Sequence, residues 1–167
     1  ARNAGRDNWF LHIETFDPHQ PFHVPRKYRE FYPTSYDGPD IIWPPRETTR
    51  RSLEAQEHIC ALYAALVSMC DANLGRVMDA MDAMDLWKDT LLIVNTDHGF
   101  LLGEHGRWNK MWPWLYEEIA RTPLFVWDPD AGAAGERRDA LVQAIDWAPT
   151  LLDFFGVDTP PDMQGRS

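Results

Sequence analysis

The sequence predicts an α/β fold, in which part of a mostly parallel sheet is flanked by helices. Three observations support this prediction. Residues 90–96 form a continuous apolar stretch with the length and composition of a strand that is buried on both faces. A long segment with helical periodicity precedes this stretch, and further strand-like and helix-like segments follow it. This order of elements is typical of sheets whose strands are joined through helices.

The first 48 residues contain one strand-like and one proline-rich segment. Residues 9–14, WFLHIE, are apolar and β-like, and we expect a strand there. Seven prolines then fall within residues 17–48, which excludes long helices and central strands. Because six aromatic residues lie in the same segment, we expect an ordered loop that packs on the body of the domain.

Helical periodicity runs from about Thr49 to Met84, where apolar residues recur at every third or fourth position. One long helix or two shorter ones would satisfy this pattern. Cys60 and Cys70 lie on it ten residues apart, which corresponds to about 15 Å along a helix. This separation is too large for a disulfide, so we expect two buried free thiols.

The rest of the chain alternates between loops and short regular elements. A turn at residues 85–89 leads into the strand at 90–96, and a loop follows with a short helix expected near residues 115–120. Residues 123–127 predict a further strand. Beyond a turn, we expect a short strand at residues 141–145 and then a helix, which begins at the N-cap Asp146, runs through Phe155 and stops at Gly156.

Composition limits the function classes. At 167 residues, the chain is expected to form a single domain over residues 1–167. The net charge of −10 argues against nucleic acid as the main partner, and no run approaches the ~18 apolar residues of a membrane span. The chain begins without methionine and soon enters a strand-like run, so we expect a piece of a longer protein. The compartment stays open between cytoplasmic and periplasmic or secreted.

Asp97 and His98 stand side by side at the end of the predicted central strand. Gly99 follows them and would give the backbone freedom to turn both side chains toward one point. A carboxylate oxygen and an imidazole nitrogen are good ligands for a divalent cation. Taken alone, such a pair is more often a turn residue beside a packed histidine.

The following loop adds an acid, an imidazole and an amine, from Glu104, His105 and Lys110. Such a set in a loop rich in apolar residues indicates a lined cleft. Lys110 is suited to hold an anionic oxygen, and the alternative is an ordinary solvated lysine. We expect Glu104 to hydrogen-bond to the backbone or to pair with a neighbour.

His19 lies in the sequence DPHQPF, where prolines on both sides stiffen the chain. Its imidazole is suited to donate to an anionic substrate oxygen. A loop histidine with one backbone hydrogen bond is an equally good interpretation. Because ligands of open α/β sheets bind at the carboxyl ends of the strands, we expect the loops of His19 and of Asp97 to meet at one site.

Several segments resemble sulfatases of the alkaline phosphatase superfamily. The metal-site segment of these enzymes resembles TDHGFLLGEHGRWNK, with LWKDTLLIVNTDHG before it and EIARTPLFVWDP after it. Their histidine loop resembles DPHQPFHVPRKY, and the stretch before their small C-terminal subdomain resembles DWAPTLLDFFGVDTPPDMQGRS. These segments follow one another in the family's order and spacing. The resemblance implies an alkaline-phosphatase-like fold and the hydrolysis of sulfate esters.

The resemblance also implies a role for each candidate residue. Asp97 and His98 would bind one divalent cation, usually Ca²⁺ in sulfatases, with Mn²⁺, Mg²⁺ or Zn²⁺ as alternatives. Lys110 would contact the oxygens of a small anionic sulfate ester, and His19 would bind the sulfate or assist the leaving oxygen. Both are candidate catalytic residues. His105 is a weaker catalytic candidate, which would line the pocket or support a ligand residue.

The chain departs from the family in lacking the nucleophile. Sulfatases carry it in a Cys-x-Pro-x-Arg or Ser-x-Pro-x-Arg motif, which is converted to formylglycine. Neither Cys60, followed by Ala-Leu-Tyr, nor Cys70, followed by Asp-Ala-Asn, matches. The family's N-terminal pair of metal-binding aspartates is also missing, so the chain resembles the C-terminal half of a catalytic domain. We therefore expect no turnover from it alone, weak metal binding, and self-association through surfaces that the missing half would cover.

Two alternatives to a sulfatase stay open. The family pattern often has asparagine after the aspartate, whereas this chain has His98. Histidine is found there in a subset of sulfatases and in related phosphonate monoester and phosphodiester hydrolases, which form the first alternative. The second is a non-catalytic binding module that kept the fold and lost the chemistry.

Overall fold

The computed structural model describes residues 6–45, 51–110, 115–132 and 134–167. The chain divides into two compact units, of which one spans Ile13–Pro129 and the other combines Ala1–His12 with Asp130–Ser167. Helices and strands are both present, in agreement with the predicted α/β class. In the described part of the chain, no helix combines the length and apolar character that crossing a membrane requires.

The proline-rich segment is an ordered loop, as predicted. Its regular element is α1, the single helical turn Arg26–Arg29. Phe22 is fully buried in the core, and Ile41 and Ile42 pack against the same core cluster. A bidentate ion pair between Arg29 and Asp40, with N–O distances of 2.8 and 2.7 Å, closes the loop on itself.

One helix, α2, covers Leu53–Ala83 and decides between the one-helix and two-helix alternatives. Ser52 caps it, because its hydroxyl accepts a hydrogen bond from the backbone N–H of Ala55 at 3.3 Å. The predicted start near Thr49 lies outside the described residues. One face of the helix is buried at intervals of three and four residues, which is the spacing of a helix that packs along one side; its buried side chains are Ala55, His58, Ile59, Leu62, Ala65, Leu66 and Met81.

The two main strands pair antiparallel, whereas the sheet predicted from the sequence is mostly parallel. Strand β1, Leu92–Asn95, pairs antiparallel with the strand Leu124–Trp127, which is β4 in chain order. A parallel pair needs a crossover, usually a helix. The described part of the connection holds only a hairpin and one helical turn, so the chain returns to β1 in the opposite direction. An antiparallel strand on an otherwise parallel sheet is common in large mixed sheets.

In its described residues, the connection between β1 and β4 contains a hairpin, with a 3-10 turn at Glu104–Gly106 inside it, and a short α-helix. Strands β2, Leu101–Leu102, and β3, Trp108–Asn109, form an antiparallel hairpin. Helix α3, Glu117–Ala120, follows and agrees with the short helix expected in this loop. The hairpin packs its buried residues, Leu101 and Trp108, into the core of the larger unit.

The core of the larger unit joins the proline-rich loop, helix α2 and the hairpin. Its fully buried members are Phe22, Ile59, Leu62, Leu66 and Trp108. Because these side chains come from three separate segments, their burial fixes the position of the loops that carry the candidate site residues. Cys60 and Cys70 are free, as expected from their spacing, but both are only partly buried and not fully buried as predicted.

Two predicted strands are wrong. Residues 9–14 form no strand, and the side chains of Phe10, Leu11 and Ile13 are exposed. Residues 141–145 also form none, and Leu141 is 96% exposed. A strand requires a neighbouring strand for its backbone hydrogen bonds. Both segments have an apolar composition, but among the described residues neither pairs with a strand.

The predicted final helix is confirmed, although its cap differs. Helix α4 covers Trp147–Phe154, and Gly156 follows it with a left-handed φ of 64°. The carboxylate of Asp146 does not cap α4. It accepts hydrogen bonds from the backbone N–H groups of Gln143 and Arg166 instead, at 2.8 and 3.1 Å, and both bonds lower its pKa.

Candidate functional site

Three of the predicted site residues come together at the end of β1. The ammonium nitrogen of Lys110 lies 2.5 Å from Nε2 of His98. The same imidazole nitrogen lies 3.4 Å from Oδ2 of Asp97. Lys110 comes from the end of the β2–β3 hairpin, so the hairpin folds it back over the two residues that leave β1. An acid, an imidazole and an amine therefore converge on one point.

The hydrogen bonds of His98 define which ring nitrogen faces this point. Nδ1 lies 2.9 Å from the carbonyl oxygen of Gly99. A carbonyl only accepts, so Nδ1 carries the proton and donates, and Nε2 presents its lone pair to the ammonium group of Lys110. Histidines that bind metals hold their other ring nitrogen in this way, by donating to a backbone carbonyl or a carboxylate.

The donor atoms fit one shared divalent cation. Two donors that each lie about 2.4 Å from one ion, at a right angle, are about 3.4 Å apart. The observed separation of Asp97 Oδ2 and His98 Nε2 is 3.4 Å. Within the described ranges, no group of three or more His, Cys, Asp or Glu side chains is suited to hold a metal ion. That Asp97 and His98 bind a cation therefore stays a prediction, based on two donor atoms at a suitable separation.

Gly99 has a role that differs from the predicted one. Its φ does not lie in the left-handed region. Its backbone N–H instead donates to the carbonyl oxygen of Ile119 at 2.8 Å, and a Cβ at this position would lie 1.8 Å from the carbonyl oxygen of Glu118. Glycine is required because the backbone of α3 approaches too closely for any side chain.

Asn109 hydrogen-bonds to the backbone of Lys110, a contact that the sequence does not predict. Its side-chain Oδ1 accepts the backbone N–H of Lys110 at 2.7 Å. Asn109 has a left-handed φ of 77° and is fully buried, and its Nδ2 has no hydrogen-bond partner among the residues that the structure describes. A single asparagine before a lysine carries no signal in a sequence. Its role follows only from the backbone conformation at the end of β3.

The loop of His19 meets the loop of His98 through aromatic side chains. The ring of Phe22 contacts the ring of Phe100 edge-on, with centroids 5.7 Å apart, and both contact Tyr63 of α2. The contacts described for His19 itself lie in its own loop. Nδ1 donates to the carbonyl oxygen of Gln20 at 2.6 Å, which leaves Nε2 for another partner. That His19 acts in the same site stays a prediction.

Glu104 and His105 both contact other residues of the chain, the first through the backbone and the second through a carboxylate. Glu104 accepts the backbone N–H of Leu102 at 2.5 Å, which confirms the expected backbone hydrogen bond. Nε2 of His105 lies 3.2 Å and 3.3 Å from the two carboxylate oxygens of Glu118. The His105 ring also stacks on Tyr116, with centroids 3.8 Å apart and an interplanar angle of 9°.

Neither cysteine has the properties of a nucleophile. Burial raises the pKa of Cys60, and Glu104 adds a smaller effect in the same direction. Burial also raises the pKa of Cys70, with a smaller contribution from Asp17. Because the reactive form of cysteine is the thiolate, a raised pKa disfavours nucleophilic chemistry at both side chains. This agrees with the absence of a nucleophile motif around either residue.

Comparison with known families decides the assignment. The family model described as Sulfatase matches residues 1–157. The chain belongs to the sulfatase family. Sulfatases generally use a divalent metal ion and a formylglycine nucleophile, and the resemblance seen in the sequence is thereby confirmed.

Curated relatives of this sulfatase chain match over most of its length. It is 40% identical over 105 residues to an N-acetylglucosamine-6-O-sulfatase of Bacteroides thetaiotaomicron, which covers 63% of the chain and 18% of the relative. It is 32% identical to a sulfatase of Formosa agariphila, over 95% of the chain and 34% of the relative. A multifunctional alkaline phosphatase superfamily protein, PehA of Trinickia caryophylli, is 30% identical over 98% of the chain and 37% of its own length.

A solved structure shows the same fold. It is the structure of BT4656 in complex with its substrate D-glucosamine-2-N,6-O-disulfate, which matches with a TM-score of 0.64 and 37% sequence identity. The match covers 68% of this sulfatase chain and 22% of that protein. The alkaline-phosphatase-like fold is thereby confirmed. The chain spans between about a fifth and somewhat more than a third of the length of these proteins, given shares of 18%, 34%, 37% and 22%.

Proposed function

We propose that this chain works as the C-terminal part of a longer sulfatase catalytic domain that hydrolyses sulfate esters. One observation carries the proposal, which is the convergence of Asp97, His98 and Lys110 on one point in a chain of the sulfatase family. In this proposal the chain supplies half of a cation site and part of an anion clamp. The attacking group and the remaining cation ligands belong to the rest of the protein.

Asp97 and His98 would hold the cation, for which we propose Ca²⁺ with Mn²⁺, Mg²⁺ or Zn²⁺ as alternatives. Such an ion, when bound, neutralises charge on the transferred group and favours the ionised form of an attacking oxygen. The oxygen ligand of Asp97 suits a hard cation such as Ca²⁺. The Nε2 lone pair of His98 suits a transition metal equally well.

Lys110 would bind the non-bridging oxygens of the sulfate. Its ammonium group is a compact point charge with three donors, and it already faces the lone pair of His98 at 2.5 Å. Charge on those oxygens increases in the transition state, so a cation held in place stabilises that state more than the ground state. His19 would donate from Nε2 to the sulfate or to the departing alcohol oxygen.

A sulfated amino sugar is the first substrate class to test. The proposal rests on similarity to the N-acetylglucosamine-6-O-sulfatase and to BT4656, whose structure contains D-glucosamine-2-N,6-O-disulfate. Substrate selectivity in such a site is set by the loops around the sugar, of which this chain provides only some.

A phosphonate monoester or phosphodiester hydrolase is the second candidate function. Two observations favour it. His98 stands where the sulfatase pattern often has asparagine, and the chain is 30% identical to the multifunctional PehA over 98% of its length. A non-catalytic binding module is the third candidate, and it predicts that no hydrolysis depends on Lys110.

Assays of the full-length protein distinguish these functions. The substrates are an aryl sulfate, the corresponding phosphodiester and N-acetylglucosamine-6-sulfate. We expect metal-dependent hydrolysis with the sulfate esters preferred, and loss of it in Lys110→Ala. Lys88→Ala is the matched control, because Lys88 is an exposed lysine that pairs with Asp85 in a surface turn. Preference for the phosphodiester would replace the sulfatase assignment, and equal rates in both variants would exclude the catalytic role of Lys110.

A further inference from the structure

His98 is held in place through a series of contacts that begins outside the proposed catalytic residues. Its Nδ1 donates to the carbonyl oxygen of Gly99, and the Gly99 N–H donates to Ile119 in α3. No space separates Gly99 from this helix, because an added Cβ would lie 1.8 Å from the carbonyl oxygen of Glu118. The direction of the His98 ring therefore depends on where α3 lies.

Helix α3 is too short to hold its own position. It has four residues, and an isolated helical turn is unstable because nucleation costs more than its few hydrogen bonds return. Two side chains of α3 contact the rest of the described structure. Ile119 is buried, and Glu118 contacts His105 in the loop between β2 and β3. The same His105 ring stacks flat on Tyr116, the residue that precedes the helix.

The backbone of His105 is strained, which indicates that its contacts matter. It has φ 56° and ψ 21°, in the left-handed region that β-carbons disfavour. Gly103 and Gly106, on either side of it, adopt positive φ without this cost. A side chain that was only solvated would gain nothing from this conformation. The conformation places the imidazole between the carboxylate of Glu118 and the ring of Tyr116.

We propose that His105 and Glu118 form a strut that sets the position of α3 and thereby orients His98 toward its cation. His105 is then a positioning residue, and it touches neither the cation nor the sulfate ester. The proposal rests on the proposed function only for the identity of His98 as a cation ligand. The orientation of the His98 ring is a property of the chain itself.

Two measurements test the strut, which are the NMR signals of the His98 ring and the affinity of the protein for Mn²⁺. We expect Glu118→Ala and His105→Ala to shift or broaden the ¹⁵N–¹H signal of the His98 Nδ1–H, and to weaken Mn²⁺ binding by roughly three- to tenfold, somewhat less than for direct partners of ligand residues. His105→Gln, which keeps a donor for Glu118, should recover part of the loss. Glu117→Ala is the matched control, because Glu117 is an exposed acid in the same helical turn.

A double-mutant cycle distinguishes the strut from general damage to the fold. If His105 acts through Glu118, the double alanine variant should weaken Mn²⁺ binding no more than either single variant does. Additive losses would overturn the proposal, as would an unchanged His98 signal in both single variants. Circular dichroism verifies folding, and Glu118→Gln replaces Glu118→Ala if the latter unfolds. Absence of sulfatase activity would refute the proposed function and leave these two readouts to decide the strut.

Discussion

The ring of Phe22 meets the ring of Phe100 edge-on, with centroids 5.7 Å apart and an interplanar angle of 67°. Phe22 lies three residues after His19, and Phe100 lies two residues after His98. The contact therefore joins the two loops in which sequence and family resemblance place the candidate histidines. Neither ring takes part in the proposed chemistry, yet their contact holds the two loops together.

Replacement of Phe22 by alanine should be strongly destabilising. Phe22 is 1% exposed, and truncation of a buried phenylalanine costs about 3–5 kcal/mol of unfolding free energy. Urea unfolding of the chain measures the loss. Phe31→Ala, at a position that is 67% exposed in the same segment, should cost less than about 0.5 kcal/mol. Similar losses for the two variants would show that Phe22 does not anchor the loop.

The local elements could be predicted where a single segment carries the information. The periodicity of α2, the apolar run of β1 and the stop at Gly156 each reflect interactions within a few neighbouring residues. The grouping of Asp97, His98 and Lys110 also follows from the sequence, although its assignment to a cation and a sulfate came from family resemblance. The structure brings the three side chains together, and their assignment to a cation and a sulfate stays a prediction.

The features that sequence could not provide depend on partners distant along the chain. The direction of β4 depends on how the connection from β1 returns, and residues 9–14 have the composition of a strand without a neighbour to pair with. Gly99 was expected to supply a turn, but the carbonyl oxygen of Glu118 is what excludes a side chain there. No sequence pattern marks Asn109, because its contact with Lys110 depends on one hydrogen bond and on one backbone dihedral angle.

Asn109 should orient Lys110 through its side chain and not only through its backbone. Asn109→Gly retains an easy left-handed φ but removes the acceptor for the Lys110 N–H. We expect Asn109→Gly and Asn109→Ala both to lower the kcat of the full-length protein, by roughly ten- to hundredfold, since small displacements of a catalytic group have effects of this size. The alanine variant should also be less stable, because φ is 77°. Asn73→Ala, on the exposed face of α2, is the control, and wild-type kcat in the glycine variant would refute the prediction.

Removal of the Lys110 charge should separate metal binding from catalysis. The ammonium group lies 2.5 Å from the nitrogen that would bind the cation, so the two positive charges repel each other. We expect Lys110→Met to bind Mn²⁺ more tightly, by roughly fivefold, which corresponds to about 1 kcal/mol for a partly exposed charge pair, while turnover is lost. Isothermal titration measures the affinity. Weaker binding in the variant would show that Lys110 supports the site instead of opposing the cation.

Cation binding by the isolated chain should itself be weak. Asp97 and His98 are two ligands, whereas Ca²⁺ takes six to eight oxygens. We expect a Kd for Ca²⁺ of about 10⁻⁴ M or weaker, and further loss in Asp97→Asn. Asp71→Asn, at an exposed position of α2, is the control. A submicromolar Kd measured by calorimetry would contradict the view that this chain holds only half of the site.

Acid should destabilise the proline-rich loop through Asp40. Hydrogen bonding to Arg29 lowers the pKa of Asp40 below its ordinary value of 3.8, with smaller contributions from the Arg29 charge and from His58. A lowered pKa in the folded state means that Asp40 stabilises the fold above pH 3.8, and that this stabilisation is lost as the pH falls through the lowered pKa.

Asp40→Asn should therefore lower the unfolding free energy at neutral pH and flatten its decrease below about pH 5. Asp40 is 40% exposed, so solvent screening limits the effect to about 1 kcal/mol or less. Asp37→Asn, an exposed position of the same loop, should leave the pH profile of stability unchanged. A wild-type profile in Asp40→Asn, measured by urea unfolding between about pH 2.5 and pH 7, would show that the ion pair contributes nothing.

Self-association of the isolated chain should proceed through strand β4. Its side chains Phe125, Val126 and Trp127 are 67%, 54% and 38% exposed, and in the described part of the chain β4 pairs with β1 alone. An apolar strand with one open edge is a template for pairing with another chain. We expect concentration-dependent association in light scattering, reduced by Val126→Lys. Val67→Lys, at a 42% exposed valine on α2, should leave association unchanged, and a monomer at every concentration would contradict the prediction.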